Sequence, residues 1–144
     1  MLELRGKTYV GLGMASSNLI TQLQLVAKRF PEISGVFTAT INIELQDRLL
    51  VVHPSHRTEP ILWEESSIQG EVFDFLRIEF LSADDTWEPS WLYIAHDSPH
   101  RRDLTHHEII LRRRLDNFDP DDLCIRLHQP HRIIPFMAGR IVVV

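Results

Sequence analysis

Cysteine is almost absent from this chain of 144 residues, which contains a single one, Cys124. One cysteine excludes a disulfide within the chain and any zinc site built from several thiolates of one chain. Cys124 stands between Leu123 and Ile125 in an apolar pattern. Because free cysteine behaves as a small hydrophobic residue, this pattern predicts a buried structural thiol rather than a nucleophile.

Long apolar runs and an excess of positive charge are also lacking. No segment approaches the roughly 18 apolar residues of a membrane-spanning helix, and the start of the chain, MLELRGKTYVG, has no apolar signal-peptide core. The 20 acidic residues outnumber the 15 lysines and arginines, and the formal net charge of −5 does not attract a polyanion. We expect a cytoplasmic protein that binds small molecules rather than nucleic acid or membranes. The sequence predicts no particular oligomeric state.

The remaining composition, 44% apolar and 24% charged, is typical of a globular protein. This length predicts one domain over residues 1–144. Short apolar or alternating segments between turns predict strands. These are Leu2–Gly11, Gly35–Leu45, Leu49–His53, Ile61–Trp63, Gly70–Leu81, Trp91–Ala95, Glu108–Leu111, Leu123–Leu127 and, as an edge strand or pairing surface, Ile141–Val144. Many short strands beside one clear helix predict a mainly β, α+β protein built as a compact β-barrel.

The most informative strand is the one that contains Thr40-Ile41-Asn42. Apolar residues at 41, 43 and 45 alternate with Thr40, Asn42 and Glu44, which is the pattern of a half-buried strand. One face can enter a core, and the other then presents a hydroxyl, an amide and a carboxylate in a row. Such oxygen donors suit a hard cation. They also suit the polar outer face of an ordinary strand, which is the commoner case.

A glycine turn, Gly11-Leu12-Gly13, runs directly into a predicted helix. Ser16 or Ser17 can cap that helix, which Pro31 ends. Free backbone N–H groups at a helix start favour an anion, so the turn could hold a phosphate; a plain tight turn is the alternative. The segment is neither a Walker loop, since no GK[ST] follows, nor a dinucleotide fingerprint, since the third glycine is missing.

Histidines and arginines form two further polar groups. The pairs His53/His56, His96/His100 and His106/His107 stand in polar, loop-like stretches. A histidine metal site is one reading, and solvated or loop-packing histidines are the default, because zinc requires a strict geometry. Arg112-Arg113-Arg114 forms a basic run that is either a solvated face or a neutralising contact for a nucleotide's phosphates.

Taken in order, these segments resemble the CTP-dependent riboflavin kinases, which are small cradle-loop barrels. The matching pieces are Gly11-Leu12-Gly13, Thr40 to Leu45, Ser67 to Gly70, and Glu108-Ile109-Ile110 through Leu115 and Phe118. The resemblance covers about residues 4–127, which leaves 128–144 as a C-terminal extension. It implies a six-stranded cradle-loop barrel and the transfer of a phosphoryl group from CTP to riboflavin, giving FMN and CDP.

The resemblance also implies roles for individual residues. Thr40 and Asn42 match the family's Mg²⁺ ligands, and Glu108 matches a flavin-contacting glutamate to which we also assign the catalytic role. Ser98 matches a second flavin contact. The matched nucleotide-binding residues are Gly11, Leu12, Gly13, Met14, Ala15, Ser16, Ser17, Arg113, Arg114, Leu115 and Asp116.

The sequence departs from the family pattern around this implied site. Met14-Ala15 replace the Glu-Gly of the family turn, Ala39 replaces a glycine, Leu111-Arg112 replace an Ala-Pro pair, and Pro99 replaces a tyrosine. An alternative function is therefore a non-catalytic nucleotide- or flavin-binding regulatory module on the same barrel. A weaker alternative is a histidine-metal hydrolase.

Overall fold

The computed structural model describes residues 1–9, 23–36, 40–62, 70–96, 104–115 and 117–144. Residues 23–27 are α-helical, and a 3-10 helix follows at Pro31–Ile33. The strands are β1 (Leu2–Thr8), β2 (Thr40–Leu45), β3 (Arg48–Leu50), β4 (His56–Arg57), β5 (Phe73–Leu81), β6 (Trp87–Ala95), β7 (His106–Leu111), β8 (Leu123–Leu127), β9 (Arg132–Phe136) and β10 (Gly139–Val143). No helix in these ranges is long and apolar enough to cross a membrane.

Six strands close into an antiparallel barrel. They follow the order β5–β6–β7–β2–β1–β8, and pairing of β8 with β5 completes the circle. The nine residues of β5 allow this, because its first half pairs with β4, its second half pairs with β8, and β6 runs along its other edge. The predicted fold class, mainly β with one clear helix and a six-stranded barrel, is therefore confirmed for the described residues.

The barrel interior is filled by branched and aromatic side chains. Alternation along β2 sends Ile43 and Leu45 into it, and β7 contributes Ile109 and Leu111. Cys124 is buried, as predicted, and this burial raises the pKa of its thiol. The alternation that predicted β2 thus also determines which of its faces lies outside the barrel core.

A second apolar cluster lies on the outside of the barrel wall. Leu23, Val26 and Phe30 of the helical segment pack with Phe75 of β5 and Tyr93 of β6. The helical spacing of the first three residues predicted such an apolar face. The outer surface of β5, β6 and β7 is therefore partly a second core, and polar residues at its margin are held in a partly desolvated position.

Strands β9 and β10 of the C-terminal extension form a small sheet with β3, where the sequence predicted a single edge strand. Its order is β3–β10–β9, with β10 parallel to β3 and antiparallel to β9. Val142 and Val144 join the barrel core. The prediction of a pairing strand at Ile141–Val144 was right, and the β9 hairpin partner was not predicted.

Strand β6 starts four residues earlier than its predicted start at Trp91. Pro89, which precedes the predicted strand, lies inside β6 opposite Glu79. The turn is confined to the segment that follows β5, where the Ser82 amide donates to the Thr86 carbonyl and Asp85 takes a positive φ of 60°. The tight hairpin keeps Trp87 paired with Leu81, so pairing overrides the local preference of proline.

We expect Gly6→Ala to destabilise the barrel strongly. Gly6 lies in β1 between Leu45 of β2 and Leu123 of β8. A Cβ atom there would overlap the Glu44 carbonyl oxygen and lie 3.0 Å from its carbon, and backbone atoms in a paired strand cannot move aside cheaply. The expected loss is about 2–4 kcal/mol of unfolding free energy, measured by urea denaturation. A loss below about 0.5 kcal/mol, the size of a surface substitution, would contradict this close packing.

Candidate functional site

The polar face of β2 points away from the barrel core. Ile43 and Leu45 are buried in the interior, whereas Thr40, Asn42 and Glu44 are only half-buried on the opposite face. This is the alternation that the sequence predicted. Glu44 faces Lys7 of β1, with 3.8 Å between the carboxylate and the ammonium group. Its charge is thus already compensated at the exposed end of the row.

Glu108 of β7 lies directly opposite Asn42. The two residues are register partners, and Tyr93 of β6 is the partner of Glu108 on its other side. Residues that face each other on neighbouring strands project to the same side, with Cβ atoms about 4.5–5.5 Å apart. An amide, a carboxyl and a phenol therefore form one row across three strands. The structure thus brings together Asn42 and Glu108, two site residues that stand 66 positions apart in the sequence.

The Asn42 side chain carries an unsatisfied acceptor. Its Oδ1 atom is buried and has no hydrogen-bond partner in the described part of the chain. A buried carbonyl oxygen without a partner costs about 1–3 kcal/mol. Native proteins satisfy nearly all such atoms, so each exception calls for an explanation such as a bound ion or ligand.

Glu108 lies in a desolvated position. Burial raises its pKa above the ordinary value, because the charged form loses hydration. Burial also raises the pKa of Tyr93, and the nearby negative charges of Glu108 and Glu71 raise it further. The phenol therefore stays protonated, and Glu108 is a stronger proton acceptor than an exposed glutamate once it is ionised.

Arg113 lies apart from this row. Its guanidinium forms an ion pair with Glu88, with a second contact of 3.4 Å between Nε and Oε2. Arg113 lines a groove whose described lining residues do not include Thr40, Asn42 or Glu108. Arg114 is exposed, and Leu115 packs against the barrel core. In the described residues, Arg113 thus pairs with Glu88 of β6.

The remaining predicted site residues lie outside the described ranges. They are Gly11, Leu12, Gly13, Met14, Ala15, Ser16, Ser17, Ser98 and Asp116. The phosphate-binding turn and the nucleotide contacts implied for these residues therefore stay predictions.

Several of the described histidines have partners of their own. His96 Nε2 lies 2.9 Å from Asp74 Oδ2, and His107 Nε2 lies 2.8 Å from the Leu104 carbonyl. His56 stacks on Phe30 with ring centroids 4.3 Å apart. Within the described ranges, no group of three or more His, Cys, Asp or Glu side chains could hold a metal ion. The histidine pairs read from the sequence thus do not form a common ligand set there.

Two buried groups were missed by the sequence analysis. Asp74 is buried beside Arg57, which donates to it from Nε at 2.7 Å and Nη2 at 2.9 Å. Burial alone would raise the pKa of Asp74, but hydrogen bonds from Arg57 and His96 outweigh it and hold the pKa below its usual value. Tyr93 could have been found, since alternation along β6 places it on the same face as Trp91. Asp74 gave no such signal, because a lone acid in the apolar strand VFDFL has no visible partner.

No model of a known protein family matches the chain, and a search of curated proteins found no significant match.

Proposed function

We propose that the protein is a phosphotransferase of the CTP-dependent riboflavin kinase type, acting in the cytoplasm on a nucleotide and a flavin. The reaction moves the γ-phosphoryl group of CTP to the ribityl 5′-hydroxyl of riboflavin and yields FMN and CDP. The proposal rests on the sequence resemblance together with one feature of the structure. That feature is the buried, unpartnered Oδ1 of Asn42, which is the register partner of Glu108.

The donors of β2 fit the Mg²⁺ ion that such a reaction uses. Thr40 and Asn42 offer a hydroxyl and an amide oxygen on one face of the strand, and the Asn42 oxygen lacks any other partner in the described residues. Mg²⁺ prefers hard oxygen ligands and fills its remaining positions with water and substrate phosphates. When bound there, the ion would neutralise phosphate charge. Both protein donors are uncharged, so most of the affinity would come from the nucleotide.

Glu108 is the proposed proton acceptor. As the 5′-oxygen of riboflavin forms its bond to the γ-phosphorus, the bond from that phosphorus to the β,γ-bridging oxygen breaks, and CDP leaves with that electron pair. The hydroxyl proton passes to the Glu108 carboxylate. The raised pKa of Glu108 favours this transfer. Most of the rate enhancement comes from positioning and electrostatics, as in other phosphoryl transfers.

Incubation of the purified protein with riboflavin, CTP and Mg²⁺ tests the proposal. We expect FMN and CDP to form in equal amounts, detected by chromatography with flavin fluorescence, and to disappear when Mg²⁺ is chelated. A thermal shift with CTP or riboflavin but no FMN would overturn the kinase and favour the non-catalytic binding module. Neither binding nor turnover would reject both functions.

A further inference from the structure

An open groove of about 1170 Å³ runs along the outside of the barrel, and its described lining does not include Asn42, Glu108 or Tyr93. It lies between the 3-10 helix, the paired strands β5 and β6, and the first residues after β7. Thr40, Asn42 and Glu108 are not among its described lining residues. Of the residues matched to the kinase family, the described lining of the groove includes Arg113.

Every carboxylate that lines the groove among the described residues already has a basic side chain as its partner. Glu32 accepts from the Arg77 guanidinium at 2.5 and 2.8 Å. Two further contacts line the same groove: an ion pair of Glu88 with Arg113, and a contact between the Glu79 carboxylate and the His128 imidazole. A cationic ligand would have to break one of these pairs, so the groove is poorly suited to bind one.

Two residues that line the groove carry hydrogen-bond donors without a partner among the described residues. Arg112 is exposed, and no ion pair holds it among the described residues. Trp91 lines the groove, is 7% exposed, and its indole Nε1–H is buried without an acceptor in the described part of the chain. Two residues that line the groove thus carry donors without acceptors, whereas its described carboxylates all have partners. A ligand that supplies acceptor atoms and negative charge complements it.

We propose that this groove binds a small anionic metabolite, held through its phosphate or carboxylate group by Arg112 and reaching the indole N–H of Trp91. A guanidinium can bind either oxyanion through two parallel hydrogen bonds. The indole nitrogen is buried, so an acceptor reaches it only when the atoms that cover it move aside. Binding should therefore change the environment of Trp91 as well as that of Arg112. This proposal does not depend on the kinase assignment.

Nuclear magnetic resonance of the indole N–H groups tests the proposal with two probes, inorganic pyrophosphate and citrate, at constant ionic strength. The chain has three tryptophans, and Trp91→Phe assigns the resonance of interest. We expect a saturable downfield shift of the Trp91 indole proton with at least one probe. A shift with pyrophosphate alone indicates a phosphate ligand, and one with citrate alone indicates a carboxylate ligand.

Arg112→Gln should weaken that binding by about 10–100-fold, the range of a lost charged hydrogen bond. Arg132→Gln, the same substitution at an exposed arginine of β9, should leave binding unchanged, and so should Asn42→Ala. The proposal is overturned if neither probe shifts the resonance, if Arg112→Gln binds like the unmodified protein, or if Arg132→Gln loses affinity to the same extent. Thermal unfolding of each variant establishes that it is folded.

Discussion

Replacing Asn42 by alanine is expected to lower kcat/KM for FMN formation by about 10²–10³-fold, because a metal ion supplies several kcal/mol of charge stabilisation in the transition state. The loss should grow as the Mg²⁺ concentration is reduced. The reason is structural: Asn42 Oδ1 is the one donor of the β2 row shown to be buried without a partner in the described residues.

The same variant should keep its stability. Alanine removes an acceptor whose burial costs about 1–3 kcal/mol, and this gain offsets the packing that the amide provides. We therefore expect a Tm equal to or above that of the unmodified protein. Gln46→Ala, at an exposed amide just beyond the end of β2, is the matched control and should keep full activity. A large fall in Tm for Asn42→Ala with unchanged activity would show that Asn42 is a structural residue.

Glu108→Gln is expected to lower activity and to raise stability. Loss of the proton acceptor should lower kcat by about 10²–10⁴-fold, the usual contribution of general base catalysis. Gln keeps the shape of Glu and removes a charge from a desolvated position. The unfolding temperature should therefore rise at neutral pH, by about 2–4 °C for each kcal/mol of burial cost removed.

The pH dependence of this gain follows from the direction of the pKa shift. The folded-state pKa of Glu108 is raised above its ordinary value of 4.5, so the unfolded chain releases the proton first as the pH rises. Stability of the unmodified protein is thus lost between the unfolded and the raised folded pKa. Glu108→Gln should gain nothing below about pH 4, where the carboxyl is neutral in both states, and its full gain should appear above the folded pKa.

Activity and stability are thereby linked through one group. The acid limb of kcat/KM in the unmodified protein should lie above pH 4.5, at the pKa of Glu108 in the free protein. Glu59→Gln, at an exposed glutamate, should change neither the pH profile nor Tm. An acid limb that persists unchanged in the residual activity of Glu108→Gln would assign it to another group.

The strands that the sequence predicted best are those with an unambiguous face. Leu123–Leu127 was predicted with the bounds of β8, and the second half of Gly70–Leu81 alternates as β5 does. The start of β6 was missed because Pro89 has the local chemistry of a turn, whereas its pairing with Glu79 is decided by the hairpin. The local sequence pattern predicts that a strand exists. Where the strand ends depends on its pairing partners, which cannot be identified from a single sequence.

The candidate site shows the same division. Alternation along β2 was enough to place Thr40 and Asn42 on a polar face, but only the register of β2 with β7 puts Glu108 opposite Asn42. A shift of one residue would have reversed the faces. The sequence did not predict the partner of Arg113 either, because the ion pair with Glu88 joins the segment after β7 to the start of β6. The residue types predicted the chemistry of the site, and the strand register determines which side chains face each other.

The central claim is that the Asn42 oxygen is a ligand of the ion that accompanies the nucleotide. Paramagnetic Mn²⁺ can replace Mg²⁺ in a nuclear magnetic resonance titration of the protein with CTP. We expect the side-chain amide signals of Asn42 to broaden beyond detection at substoichiometric Mn²⁺, while those of Gln46 remain sharp. Sharp Asn42 signals at full Mn²⁺ and CTP occupancy would contradict the account.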